Sequence, residues 1–240
     1  MLLRLPTSVS EAQDCMAEGA VPIGGATLIW ATWQRDGFPE QAMSLRDLPE
    51  ANTIGREMLG GAVILNRIDD RVPEALRRAA ATVGTGAVRR TATVGGNIVG
   101  STLRCLLPAS LVLEARAVVL DPDSVYETDL TEVLAKGHLL LGLRWRDPIT
   151  SAYRKLPGEA GGPPPLVVAA ALHTADTGGT RLRVAVRDGY DVITECTEYD
   201  SDSGQVLDDL RRTAVGALHA TAWEAVHELV TDLLSRPSGR

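Results

Sequence analysis

Two short stretches of this sequence, residues 21–28 (VPIGGATL) and residues 91–100 (TATVGGNIVG), share one pattern. In each, an apolar run leads into a pair of adjacent glycines, and further apolar residues follow. Adjacent glycines adopt positive φ angles at low cost and leave no side chain between the backbone amides and a ligand. Several amides that point into one concavity, next to the start of a helix, bind an anion. The two stretches are therefore predicted to converge on one anionic group, such as a diphosphate.

Polar side chains beside the glycines add donors to the two turns. Thr27 and Thr93 supply hydroxyl groups, and Asn97 donates and accepts hydrogen bonds and tolerates unusual φ angles. The predicted ligand-binding residues of the turns are Ile23, Gly24, Gly25, Ala26, Thr27, Thr93, Gly95, Gly96 and Asn97. A second interpretation stays open, because a glycine pair between a strand and a helix is more often a tight connection than a ligand site. Neither turn matches the GxGxxG or GxxxxGK(S/T) motifs for phosphate binding.

The composition narrows the class of protein. The chain has 240 residues, of which 45% are hydrophobic, and this is typical of a globular protein with its own core. The formal net charge is −7 and the arginines form no basic stripe, so nucleic acid binding is not expected. No apolar run is long enough to span a membrane, and the first residues lack the apolar segment of an export signal.

The three cysteines, Cys15, Cys105 and Cys196, lie far apart, and no CxxC or Cys/His spacing accompanies them. They are expected to be free thiols in a reducing compartment, and no metal site is expected. For Cys105, which lies close to the second glycine turn in sequence, a buried and inert thiol is the preferred interpretation. Together with the lack of an export signal or a membrane span, these features predict a cytoplasmic protein.

The first half of the chain alternates predicted strands and helices. Ser8 and Glu11 form a predicted capping box, in which the Ser hydroxyl and the Glu carboxylate satisfy the first free amides of a helix that ends at Gly19. An amphipathic helix is predicted over residues 69–83, with Gly84 and Gly86 at its end. The other predicted elements are strands at residues 2–5, 21–23, 62–65, 118–120 and 139–145, and helices at residues 26–33 and 108–115.

Asp147 and Pro148 mark a predicted boundary, because a residue before proline avoids the helical conformation. The pattern after this boundary is one of strands followed by helices, so the fold class is predicted to be α+β. The predicted elements are strands at residues 151–156, 166–173 and 181–187, a hairpin-like turn at 176–179, and helices at 205–219 and 221–235. The predicted domains are residues 1–147, with subdomains of about 1–58 and 59–147, and residues 150–240.

The glycine turns resemble those of one known family, the FAD-binding (medium) subunits of the molybdenum hydroxylases, which include xanthine dehydrogenase and carbon monoxide dehydrogenase. That family carries an Ala-Gly-Gly-x-(Ser/Asp) turn and a later Thr-Ile-Gly-Gly-Asn turn, and the matching residues here are 23–27 and 93–97. Further matches lie at residues 6–12, 61–62, 88–93 and 152–156. The resemblance implies a two-part FAD-binding domain of the vanillyl-alcohol-oxidase/PCMH-like type, followed by a small α+β domain, with the FAD pyrophosphate on both turns.

Other residues are assigned only through this resemblance. Tyr153 and Lys155 match a region that lies near the flavin ring in the family; a packed tyrosine with a satisfied hydroxyl is the alternative. Leu106 departs from the family pattern, because it stands where the family has an Asp that contacts the cofactor. Trp30 and Trp33 follow the first turn, and for both we expect packing in the core rather than contact with the flavin.

The resemblance implies a flavoprotein subunit that works with a molybdopterin-binding large subunit and a [2Fe-2S] small subunit. In that role it passes electrons to an acceptor such as NAD, quinone or oxygen. The absence of a recognisable catalytic acid or base fits this role, because the flavin itself carries the redox chemistry. Two alternatives stay open: a free-standing FAD-dependent oxidoreductase acting on a small-molecule substrate, and a non-redox binding protein of the same fold.

Overall fold

A computed structural model describes residues 1–159, 161–176 and 178–236 of the chain. These residues form two compact units, each made of several chain segments. The first unit consists of Met1–Val72, Val83–Arg104 and Ala115–Trp145, and the second of Pro73–Thr82, Cys105–Glu114 and Arg146–Arg240. These units are defined by packing alone, and the division into functional domains at residues 147–150 stays a prediction.

The first unit begins with a small parallel sheet. Its strands β1 (Leu2–Arg4), β2 (Val21–Pro22) and β3 (Gln41–Met43) lie in the order β1-β3-β2. Helix α1 (Val9–Ala17) connects β1 to β2, and helix α2 (Ile29–Asp36) connects β2 to β3. α1 buries its apolar residues against the sheet in a core that includes Ala12, Cys15 and Met43. Parallel strands need such crossover connections, so the alternation predicted from the sequence is confirmed.

The capping box at the start of α1 is confirmed with one shift. Ser8 Oγ accepts a hydrogen bond from the Glu11 amide at 3.2 Å. The Glu11 carboxylate accepts from the amide and hydroxyl of Thr7, at 2.8 and 3.0 Å, and so reaches one residue further back than predicted. The helix ends before Gly19, whose φ of +83° is the left-handed conformation of a glycine stop.

A second, antiparallel sheet completes the first unit. Its strands β4 (Met58–Gly60), β5 (Arg116–Leu120), β6 (Val125–Asp129) and β7 (Leu139–Arg144) lie in the order β4-β7-β5-β6. β5 and β7 confirm two predicted strands, but β6 and the following helix α6 (Leu130–Lys136) were missed. The sequence carried a signal for α6: the Asp129 side chain caps its first turn, and Gly137, with φ +68°, ends it.

The predicted strand at residues 62–65 is wrong, because the strand β4 ends at Gly60, the first of the two glycines, instead of following them. A Cβ built on Gly60 would lie 2.2 Å from the Ala51 carbonyl oxygen, and one built on Gly61 would lie 2.1 Å from the Leu140 carbonyl oxygen. Only glycine permits such close backbone contact at these two positions. The chain turns there and continues as a short 3₁₀ turn, Leu65–Arg67.

The helix predicted over residues 69–83 is shorter in the structure. Helix α3 (Glu74–Ala81) begins only after Pro73, which disfavours the helical conformation of the residue before it. Leu76 is fully buried and belongs to the predicted apolar face. Gly84 follows the helix, but the prediction that Gly86 also ends it is wrong, because a further short helix, α4 (Gly86–Arg89), begins there.

The second unit contains a four-stranded antiparallel sheet. Strands β8 (Thr150–Lys155), β9 (Val167–Thr174) and β10 (Thr180–Asp188) confirm the three predicted strands. The sequence analysis missed β11 (Asp191–Tyr199), which forms the edge of the sheet in the order β11-β10-β9-β8. Gly189, with φ +62°, and Tyr190 form the two-residue loop between β10 and β11, and a glycine at the first position of such a loop is a hairpin signal. The predicted turn at 176–179 includes residue 177, which lies outside the described residues; the rest of the turn joins β9 to β10.

Besides α3, the second unit contains the helices α5 (Leu107–Val112), α7 (Ser203–Arg211) and α8 (Ala220–Ser235). α5 and α8 agree with the predicted helices. α7 ends at Arg211, eight residues before the predicted end at His219. The chain folds back after Arg211. A Cβ built on Gly216 would lie 2.1 Å from the Arg211 carbonyl oxygen, so this return requires glycine.

Apolar side chains of α7 and α8 pack against those of the second unit's sheet in one core, and this confirms the predicted α+β class. Within the described part of the chain, no helix is both long and apolar enough to cross a membrane.

We expect Leu210→Ala to lower the free energy of unfolding by about 2–5 kcal/mol, because Leu210 is fully buried in this core and its removal leaves a cavity. Leu207→Ala on the same helix is the matched control, since Leu207 is only partly buried. Its expected cost is about 1 kcal/mol. Urea unfolding of both variants measures the difference, and equal costs would contradict the packing described for α7.

Candidate cofactor-binding site

The two glycine turns lie directly against each other within the first unit. A Cβ built on Gly24 would lie 2.5 Å from Thr93 Oγ1, and one built on Gly25 would lie 1.7 Å from the Thr91 carbonyl oxygen. Real Cβ atoms do not approach other atoms this closely, so neither position has room for a side chain. The glycines therefore allow two segments, about seventy residues apart in sequence, to touch through their backbones.

The first turn presents a row of amides that have no acceptor among the described residues. The Ile23 amide donates to the Met43 carbonyl at 2.8 Å, and this bond is the last of its kind before the turn. Among the described residues, no acceptor is bound to the amides of residues 24–27. Ala26 has a φ of +56°, an uncommon conformation for alanine that reverses the chain direction between successive amides. Neighbouring amides in such a turn form an anion-binding concavity.

The start of α2 follows this turn. The predicted helix at residues 26–33 begins three residues later in the structure, at Ile29. The Trp30 amide donates to the Ala26 carbonyl at 3.3 Å, so Ala26 joins the turn to the helix. The partial positive charge of the helix N-terminus adds to the attraction that the free amides exert on an anion.

The second turn differs from the first in that its amides donate hydrogen bonds to acceptors of the protein itself. The Gly95 amide donates to the Gly61 carbonyl at 2.8 Å, and the Asn97 amide to the Thr93 carbonyl at 2.9 Å. The Gly96 amide donates to Thr93 Oγ1 at 3.2 Å. Residues Gly96–Gly100 then form a π-helical turn, a geometry found frequently at functional sites. The prediction of free amides therefore describes the first turn and not the second.

Thr93 joins the two turns. Its side chain is 7% exposed, and its Oγ1 fills the space that a side chain on Gly24 would need. Oγ1 accepts from Gly96, but within the described residues its own proton has no acceptor. The hydroxyl is thus a donor available to a ligand that reaches the free amides.

Gly96 differs from the other turn glycines because it is exposed. A Cβ built on it would meet only Thr93 Oγ1, at 3.0 Å. Within the described residues, the space beyond this hydroxyl contains no protein atom close to that Cβ. Gly96 therefore leaves room for a ligand where Gly25 leaves room for the protein's own backbone.

Tyr153 and Lys155 belong to the second unit, where both contact Thr82. The Tyr153 hydroxyl lies 3.3 Å from Thr82 Oγ1, and Lys155 Nζ donates to the Thr82 carbonyl at 2.9 Å. Tyr153 is 4% exposed, and burial raises its pKa to about 12, so its hydroxyl is neutral at pH 7. This environment is that of a packed tyrosine with a partner for its hydroxyl; contact of either residue with a flavin stays a prediction.

Two expectations about side chains near the turns are settled by burial. Cys105 is buried, as predicted, and Trp33 is buried at 7% exposure. The prediction that Trp30 packs in the core is wrong, because this residue is 46% exposed. Its ring contacts that of Phe38 edge to face, with the ring centroids 5.2 Å apart. Leu106 is fully buried in the second unit, so the position at which the family has an Asp holds an apolar core residue.

The buried residue His173 is held by the protein backbone. His173 is buried, and its Nε2 lies 2.7 Å from the Val112 carbonyl, so Nε2 carries the proton and donates it. Burial lowers the pKa of His173, and the ring is neutral at pH 7. In the part of the chain that the structure describes, no three His, Cys, Asp or Glu residues are grouped to hold a metal ion.

Comparison with known families identifies the protein family in which the two glycine turns occur. The sequence profile described as "FAD binding domain in molybdopterin dehydrogenase" matches residues 3–144, which include both turns. The chain belongs to this family. Its cofactor is FAD, and it is an FAD-binding component of a molybdenum hydroxylase-type oxidoreductase. The free amides and the Thr93 hydroxyl fit the diphosphate of this cofactor.

Solved structures share the fold. A chain of the reconstituted CO dehydrogenase from Oligotropha carboxidovorans superimposes with a TM-score of 0.76 at 18% identity, over 99% of this chain and 98% of that one. A chain of the cyanide-inactivated Cu,Mo-CO dehydrogenase gives 0.73 at 17% identity, over 98% and 96%. Quinoline 2-oxidoreductase from Pseudomonas putida 86 gives 0.68 at 16% identity, over 98% and 95%. A search of curated protein sequences finds no significant match.

We expect Gly96→Ala to weaken FAD binding about tenfold or more, because the new methyl group enters the space assigned to the diphosphate. Its Cβ meets only a hydroxyl in the protein itself, so the unliganded fold is expected to keep its stability within about 0.5 kcal/mol.

Gly100→Ala is the matched control for Gly96→Ala. It lies in the same π-helical turn, and a Cβ built on it meets nothing within 4 Å. Fluorescence titration of the apoproteins with FAD measures the affinities. Equal FAD affinity of Gly96→Ala and wild type would place the diphosphate elsewhere.

Proposed function

We propose that this chain is an electron-transfer flavoprotein subunit. It receives electrons from a molybdopterin-binding large subunit through a [2Fe-2S] small subunit, and it delivers them to an acceptor such as NAD, quinone or oxygen. The matching family profile supports this role, because it describes the FAD-binding part of a molybdopterin dehydrogenase. The solved structures support it by fold, over nearly the whole length of each chain.

The main observation behind this proposal is the row of free amides at residues 24–27, which lies against the second turn. It supports the FAD-binding part of the role. In this proposal the amides and the Thr93 hydroxyl bind the FAD diphosphate. Gly95, Gly96 and Asn97 keep the second turn in position and leave the approach open. The family resemblance assigns Tyr153 and Lys155 to the flavin end, and we retain this assignment as part of the proposal.

The division of labour between cofactor and protein follows from this arrangement. When bound, FAD supplies a redox centre that accepts and releases electrons. The protein binds it through neutral donors and fixes its orientation by anchoring the diphosphate at one point of a rigid loop pair. No acid–base residue is required of the chain for such a function. A cytoplasmic location remains the expectation from the sequence.

A free-standing FAD-dependent oxidoreductase is the second candidate function. The observation that favours it is Leu106, which is buried in the core at the position where the family has a cofactor-contacting Asp. A chain that has lost one family contact has diverged in how it holds the flavin, and fold alone does not determine function.

Affinity purification of the tagged chain from its own source cells separates the two functions. For the electron-transfer subunit we expect molybdenum and iron to co-elute with FAD, as measured by elemental analysis and visible absorbance. The purified complex is then expected to reduce its FAD on addition of the partner's substrate. The isolated chain, loaded with FAD, is expected to show no reduction with the same substrate.

Elution without molybdenum and iron, together with reduction of FAD by a small-molecule donor in the isolated chain, would contradict the proposal and support the free-standing enzyme. The untagged chain, taken through the same purification, is the control for adventitious metal. Because FAD content is measured in every arm, loss of the cofactor is recognised separately from loss of the partners.

A further inference from the structure

An exposed pair of aromatic side chains, Trp30 and Phe38, lies on the helix that follows the first glycine turn. The chain contains a single Phe and four Trp, and the Phe is exposed at 45% together with Trp30 at 46%. Phe38 also packs against the buried Trp33, with ring centroids 6.2 Å apart, so the pair is anchored to the protein on one side. Tryptophan is highly buried on average, and an exposed aromatic pair of this kind indicates a surface that a ligand covers.

The start of α2 brings Trp30 next to the free amides. The Trp30 amide donates to the Ala26 carbonyl at 3.3 Å, so Trp30 lies one helical turn after Ala26. Side chains of a helix tilt towards its N-terminus and cover the surface over the preceding turn. For Trp30 this preceding turn is the one that carries the amides of residues 24–27. The indole is therefore directed to the surface beside the donors that fit a diphosphate.

The surface around the pair is neutral. From Gly19 to Gln34 the chain contains no charged residue, and the exposed residues that follow Trp30 are Ala31 and Thr32. This stretch therefore offers no ion pair to a charged group, but it offers the flat face of an indole to a neutral ring. Nucleobases stack on aromatic side chains in this way. FAD carries such a base, adenine, on one side of its diphosphate.

We propose that Trp30 stacks on the adenine ring of FAD and forms the adenine end of the cofactor site. The inference rests on the proposed function, which places the diphosphate on the amides of residues 24–27 and the Thr93 hydroxyl. The family resemblance assigns Tyr153 and Lys155 to the flavin end, so adenine is the ring that still lacks a partner. Trp30 thus orients the adenosine half of the cofactor, and Phe38 holds the indole in place.

Binding of FAD, ADP and inorganic pyrophosphate to the apoprotein, measured by isothermal calorimetry, tests the stack. ADP carries the adenine and the diphosphate without the flavin, and pyrophosphate carries neither ring. For Trp30→Ala we expect FAD and ADP to bind about 5- to 100-fold more weakly, the range for removal of an aromatic side chain from beneath a base. Pyrophosphate affinity is expected to stay within about twofold of wild type, because it has no ring to stack.

Trp30→Phe keeps an aromatic face and is expected to retain most of the ADP affinity. Tryptophan fluorescence then gives a readout that does not depend on affinity. Adenine stacked on the indole of Trp30 is expected to quench part of the wild-type emission at saturating ADP. In Trp30→Phe that quench should disappear while ADP still binds, and the remaining tryptophans supply the reference emission.

Leu28→Ala is the matched control for the loss of exposed apolar surface at this turn. Leu28 is 53% exposed and lies two residues before Trp30, and residues two apart do not share a helix face. We expect this variant to leave the affinity for each ligand within about twofold of wild type. Thermal unfolding of each apoprotein is expected to give a midpoint close to that of wild type, since both replaced side chains are exposed.

Unchanged FAD and ADP affinities in Trp30→Ala would overturn the inference and leave FAD binding itself established. A loss for FAD alone would put Trp30 at the flavin ring, and an equal loss for pyrophosphate would show that Trp30 acts through the shape of the turn; either result contradicts adenine stacking. The same holds for an equal quench by ADP in wild type and Trp30→Phe. A wild type that binds FAD but neither ADP nor pyrophosphate would remove the diphosphate from the turns, and the inference would fall with that position.

Discussion

The contact between two backbones, at Gly25 and Thr91, is the constraint on which the cofactor site depends. A side chain on Gly25 would overlap the Thr91 carbonyl oxygen at 1.7 Å, so the segments meet only because one of them has no Cβ. This contact brings the exposed amides after β2 next to the Thr93 hydroxyl. Without it, the free amides of the first turn would lack the Thr93 hydroxyl beside them.

The two turns have different roles, which the sequence did not distinguish. Both contain adjacent glycines and both follow apolar residues, so the same argument predicted free amides in each. In the structure, the amides of Gly95, Gly96 and Asn97 bind protein acceptors, while those of residues 24–27 remain available. The difference depends on partners distant in sequence, such as the Gly61 carbonyl, and no local pattern reveals them. A motif therefore identifies a turn, but its surroundings decide whether its donors reach a ligand.

Elements with local signals were predictable, and elements set by distant packing were not. The cap at Ser8, the alternation of strands and helices in the first half and the strands on either side of Asp147 all followed from local sequence patterns. The strand at residues 62–65 failed because the Gly60–Gly61 pair packs against the carbonyls of Ala51 and Leu140, a contact invisible in the sequence. Conversely, β11 and α6 were missed despite usable local signals, a glycine turn at Gly189 and an Asp cap. For the site, FAD came from the family resemblance, since glycine spacing alone indicates only an anion.

A double-mutant cycle on Gly24→Ala and Thr93→Ala tests most directly whether the turns meet. The new methyl on Gly24 would lie 2.5 Å from Thr93 Oγ1, but 3.7 Å from the Thr93 Cβ that remains after truncation. Urea unfolding of the apoproteins should give a loss of about 1–3 kcal/mol for Gly24→Ala in wild type. In the Thr93→Ala background that loss should largely vanish, a coupling of at least about 1 kcal/mol. Losses that add to within about 0.5 kcal/mol would show that the two turns do not touch.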